Sequence, residues 1–103
     1  MTMELKAGAS LNGLDPIVYL YGLPIIDAIH RVVVGRDAII TAGTDGQHMP
    51  GSLHYRGRAL DLRTHDLTPS KREELRDALA RGLGPGWDVV LEATHLHVEY
   101  DPR

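Results

Sequence analysis

Two short runs hold most of the side chains that could do chemistry: SLHYRGRALD, residues 52–61, and HLHVEY, residues 95–100. The first brings His54 and Asp61 close together in the chain. The second alternates, so on a strand His95, His97 and Glu99 share one face and Leu96, Val98 and Tyr100 the other. Taken singly, either run has an ordinary explanation as a turn or a solvated strand face. Together they offer neutral imidazoles and a carboxylate, a donor set that suits Zn²⁺. Three protein donors leave a fourth position for water, as in catalytic rather than closed structural zinc sites. Zinc lowers the pKa of bound water from near 16 to about 7. His95, which shares that strand face, is then a candidate base for the water's proton. The chain has no cysteine, so disulfides, thiolate zinc sites and a cysteine nucleophile are excluded. No HExxH helix is present.

The elements that must position these groups can be read from pattern. Asp15-Pro16 looks like a helix N-cap with proline at the first position. Gly22 and Pro24 interrupt, and a helix restarts at Pro24 with Ile25, Ile29, Val32 and Val33 on one face and Gly35 as C-cap. Residues 38–42 (AIITA) read as a buried strand, and the run GTDGQHMPG that follows is dense in turn formers. Residues 58–63 (RALDLR) alternate, with Leu60 and Leu62 opposite Ala59, Asp61 and Arg63. Thr68-Pro69 opens the clearest helix, whose apolar side carries Leu75, Ala78, Leu79 and Leu83. Residues 87–92 and 95–100 form an antiparallel pair turning at Ala93-Thr94. The expected fold is α+β, a small mainly antiparallel sheet with helices packed on one face, in a single domain over residues 1–103. The other sheet face is then free to carry a site. Trp87 is expected in the core, and His30 and His65 at the surface.

Ser52, His54, Gly57, Ala59 and Asp61 fit the pattern S-x-H-x-x-G-x-A-x-D. This resembles the zinc peptidases related to lysostaphin, the D-Ala-D-Ala carboxypeptidases and dipeptidases, and the hedgehog signalling domain. Five such positions coincide by chance in a short chain with a probability on the order of 10⁻⁴. SLHYRGRALDLRTHD looks like the hedgehog segment in particular and LEATHLHVEY like its H-x-H partner; small phage-type peptidoglycan peptidases share both blocks. The resemblance implies zinc held by His54, Asp61 and His97, with Glu92 or His95 as catalytic base. An alternative register makes His95 the ligand and Glu92 the base. Ser52, Arg56 and Gln47 are the expected substrate-binding residues, and His48 lies in the same loop. Many relatives grip a substrate carboxylate with an arginine after the first strand; here that run reads TAGTDGQH, so Arg56, Arg58 or Arg36 would have to substitute.

The implied function is a zinc metallopeptidase that hydrolyses a D-amino-acid peptide bond in peptidoglycan stem peptides, acting as a monomer. The alternative is a zinc-bearing binding module of hedgehog type without turnover. A net charge of −3 with scattered basic residues argues against nucleic-acid binding. MTMELKAGASLNG lacks a charged segment followed by an apolar one, so no signal peptide is expected, and the location would be cytoplasmic or that of a phage product released to the wall. The apolar run IVYLYGLPII falls short of the ~20 residues that span a bilayer, so no membrane contact is expected.

Overall fold

The computed structural model describes residues 3–46, 48 and 51–102. Five strands form one sheet in the order β1-β2-β3-β5-β4. They are β1 (Glu4–Leu5), β2 (Ile39–Ala42), β3 (Ala59–Arg63), β4 (Trp87–Leu91) and β5 (His95–Tyr100). β2, β3, β5 and β4 pair antiparallel, whereas β1 lies parallel to β2. Two helices, α1 (Leu23–Val34) and α2 (Pro69–Leu83), cover one face.

Alternation sorts the central strands. Leu60 and Leu62 of β3, Leu96 and Val98 of β5 and Ile40 of β2 are buried against Leu23 and Ile26 of α1 and Leu75, Leu79 and Leu83 of α2. Burying each such side chain contributes about 1.5–3 kcal/mol before the entropy of ordering it. The expected α+β architecture is therefore the observed one, and the opposite face of the sheet presents Asp61, Arg63, His95 and His97.

Several local expectations change. An α-helix does start beside Pro24, with the proline in its first turn, but no break precedes it, because a π-helical turn over Ile17–Gly22 runs directly into α1. The wider turn accommodates a proline that has no N–H to donate and whose ring would strike the carbonyl four residues back in a straight α-helix. The Asp15 carboxylate accepts from the Ile17 N–H at 3.0 Å, as its capping position implies. The joined segment Ile17–Val34 has 18 residues and a mean hydropathy of 1.6, long and apolar enough to cross a membrane by length and composition. Here its inner side helps build the core.

That inner side is centred on Val18, Leu23, Ile26 and His30; of the expected stripe Ile25, Ile29 and Val33 pack half-buried against the core, whereas Val32 is 85% exposed. His30 is fully buried rather than superficial; its Nδ1–H donates to the Arg36 carbonyl at 3.0 Å. Burial pushes its pKa below the ordinary 6.5, with the Arg36 carbonyl bond opposing. Trp87 is half-buried against the core and lies over Gly22, where a Cβ would approach its ring to 2.7 Å. The short strand β1 has no counterpart in the sequence pattern.

Candidate metal centre

Residues 52–61 fold as a cap, a 3₁₀ turn and a strand. The Ser52 hydroxyl accepts from the His54 N–H at 3.2 Å, starting the turn Leu53–Arg56. Gly57 ends it at φ 70°, a left-handed backbone that other residues rarely take. A Cβ there would also lie 2.8 Å from the Asp15 N and 2.9 Å from the Leu14 Cα. The chain then enters β3, whose pairing sets Asp61 directly opposite His97 and Arg63 opposite His95.

These pairings converge on one carboxylate oxygen. Asp61 Oδ1 lies 3.0 Å from His97 Nδ1, 3.3 Å from His54 Nε2 and 3.7 Å from His95 Nε2. One donor atom each from His54, Asp61 and His97 falls within 4.8 Å of the other two. A tetrahedral zinc with bonds of about 2.0–2.1 Å sets neighbouring ligand atoms about 3.3 Å apart. The spacing of the donors around Asp61 fits such an ion.

The outer nitrogens are tied down in the way metal-binding imidazoles require. His54 Nδ1–H donates to the Gly43 carbonyl at 2.7 Å, which turns Nε2 inward towards Asp61. His97 Nε2–H donates to Glu99 Oε1 at 2.9 Å, leaving Nδ1 for the centre. Burial opposes ionisation of Asp61, yet hydrogen bonds from His54 and His97 hold its carboxyl well below the usual range. The His97 pKa is raised by the bond to Asp61 against the opposing effect of burial, with further support from Glu99. A divalent cation would replace the proton shared between these groups.

The centre opens into a cleft of about 460 Å³ lined by Ser52, His54, Asp61, Glu92, His95 and His97, together with His48. His48 stacks on His54 with ring centroids 3.9 Å apart. Strand alternation sets Glu92 opposite His95, but β4 stops at Leu91 and the following turn brings Glu92 to the cleft rim. Arg72 of α2 fixes that turn by donating to the carbonyls of Glu92 and Ala93.

Other expected contributors stand elsewhere. Arg56 is exposed at the end of the 3₁₀ turn and does not line the cleft. Arg36 is held by Asp66 at 2.7 Å, and Arg58 by Asp15 at 3.2 Å, so neither substitutes for the missing arginine. Gln47 lies outside the described residues. Sequence reasoning missed the roles of Glu99 and Gly43. Glu99 was already on the correct strand face, whereas nothing in the sequence marks a carbonyl as a histidine's partner.

The family model of the Hedgehog amino-terminal signalling domain matches residues 30–99. The chain belongs to that family. The hedgehog match contains every donor of the centre and runs from His30 within α1 to Glu99 in β5. Over 53 residues the chain is 42% identical to the Tiggy-winkle hedgehog protein of Danio rerio, covering 52% of this chain and 12% of the relative. It thus spans about an eighth of the length of that curated hedgehog protein.

This membership corrects the expected function. The peptidoglycan metallopeptidase, its stem-peptide or D-Ala-containing substrate and its phage setting are overturned by the match to the Hedgehog amino-terminal signalling domain family. Of the residues expected to serve a peptidase, Glu92, His95 and Ser52 line the cleft and Arg56 does not. The physical reason for the error is that an open His-Asp-His centre is shared by both classes, so donor chemistry does not distinguish them.

Proposed function

We propose that this domain is a zinc-bearing binding module that acts in signalling by docking another protein and performs no turnover. The supporting observation is the pairing of the hedgehog match over residues 30–99 with a His54–Asp61–His97 donor set whose outer nitrogens are already satisfied. In this reading His54, Asp61 and His97 hold the ion, and His95 stands beside it as a neighbour. When bound, zinc supplies a positive centre that joins the 3₁₀ turn to β3 and β5 and fixes the shape of the cleft. The chain's own residues do the rest: Glu99 and the Gly43 carbonyl orient the rings, and His48 covers one side of His54.

Elemental analysis of purified protein tests the metal, with about one zinc per chain expected from the ligand count. Replacing His54 or Asp61 with Ala should abolish it, and stoichiometric zinc in either variant would overturn the ligand assignment. Incubating the zinc-loaded protein with peptidoglycan tests the absence of turnover. New stem-peptide termini that vanish with chelator would overturn the binding-module reading.

A further inference from the structure

A second cavity of about 310 Å³ adjoins the metal cleft on the open face of the sheet, lined by Lys6, Thr41, Arg63, His65, Thr94 and His95. His95 lines both. The residues form a row across the strands. Lys6 follows β1, Thr41 sits at a register irregularity of β2, and Arg63 of β3 pairs with His95 of β5. The irregularity lets Thr41 and Ala42 span a single step of β3, the kind of local bulge that re-aims a side chain.

The row is cationic and unmatched. Arg31, Arg36, Arg58, Arg76 and Lys71 each have a carboxylate partner. Among the described residues, Lys6 and Arg63 have none, as is true of Arg56, Arg72 and Arg81, but Lys6 and Arg63 face one cavity together with the imidazoles of His65 and His95; of its two hydroxyls, Thr41 donates to the Asp61 carbonyl at 3.4 Å and Thr94 is bonded to His95 Nδ1 at 3.2 Å. Such a set is complementary to a carboxylate or another oxyanion, with the guanidinium able to bind it in two-pronged fashion. The surroundings limit how much negative charge can enter. Asp61 and Glu92 line the adjoining cleft, and the whole chain carries a net charge of −3. A long polyanion would run into these acids, whereas one isolated carboxylate would not.

We propose that this pocket receives an acidic side chain from an extended segment of the protein that docks on the metal cleft. The assignment rests on the docking reading above and names the chemistry of the partner. Asp61 and Arg63 are two residues apart on β3, about 7 Å along a strand. Alternate side chains of an extended peptide have the same spacing, so one segment reaches both the cleft and the pocket.

The test is a titration of ¹⁵N-labelled, zinc-loaded protein with a capped peptide of alternating glycine and glutamate, followed by amide chemical shifts. Its glutamine analogue and inorganic sulfate serve as comparisons. The glutamate peptide should move the amides of Thr41, Arg63, Thr94 and His95, and the glutamine peptide should not. Binding should weaken at least about tenfold in the Lys6→Gln/Arg63→Gln double variant and largely survive in Arg63→Lys, which keeps the charge. Equal shifts with the two peptides, or unchanged affinity in the double variant, would overturn the proposal. Equal occupancy by sulfate at the same concentration would overturn the peptide assignment. Zinc-loaded protein without pocket shifts would sink the pocket and leave the metal centre standing. Pocket shifts in a protein that takes no zinc would do the reverse.

Discussion

Replacing Glu99 with Ala isolates the part of the centre that touches no metal. Glu99 Oε1 accepts from His97 Nε2 at 2.9 Å, while Nδ1 of the same ring stands 3.0 Å from Asp61. The first bond fixes the tautomer and rotation of the ring, and thereby the direction of the Nδ1 lone pair. Losing a partner of this kind lowers metal affinity about 10–100-fold, or about 1.4–2.8 kcal/mol. The His97 side chain is 19% exposed, so water can take over part of the acceptor role in the variant. That places E99A in the lower half of the range, at about 10–30-fold. Glu99→Gln keeps an oxygen in place without the charge and should lose less than about tenfold. Competition for zinc against a fluorescent chelator near neutral pH measures both. Glu74→Ala is the control, since Glu74 pairs with Lys71 on the outer side of α2. An E99A affinity within about twofold of wild type would refute the claim that Glu99 orients His97.

Three further outcomes follow from the fold. Gly57→Ala should lose at least about 1–2 kcal/mol from its left-handed backbone alone, plus the clash with residues 13–15, read as a lower urea midpoint; an unchanged midpoint would contradict the described turn. Leu62→Ala, at a site with no exposure, should cost about 2–5 kcal/mol in the same assay. His30 has a folded pKa below its ordinary 6.5, so the folded state resists its protonation. Its stabilising contribution is full above that unfolded value and is lost as pH falls through 6.5 towards the folded pKa. Urea midpoints of wild type and His30→Gln should therefore diverge less at acid pH than at neutral pH, and a constant gap would refute a neutral buried imidazole.

Much of the centre was legible because its geometry follows from strand alternation. Asp61, His97 and Glu99 share a sheet face, and that face is fixed once Leu60, Leu62, Leu96 and Val98 claim the core. The H-x-H register singled out His97, and the structure brings its Nδ1 closer to Asp61 than His95 Nε2. His48 was not legible as a stacking partner, since its place depends on a loop with no periodicity. His30 was misplaced because a histidine on a helix suggests solvent, whereas here the Arg36 carbonyl supplies the partner that permits burial. β1 is two residues long and has no pattern to read. The function was misread at a different level, where residues adequate for hydrolysis do not oblige a protein to perform it.

The register of β3 against β5 also orders events in time. Asp61 and His97 lie 36 residues apart, with α2 and β4 between them in the chain, so the two meet only once that long loop has closed. Contacts of such long range form late and slow the search for the native state. Because the ion site does not exist before that pairing, zinc would bind the finished sheet and lower the rate at which it opens, with little effect on how fast it forms. The ion would thus act as a latch on a completed fold, giving the domain a long kinetic lifetime wherever zinc is retained.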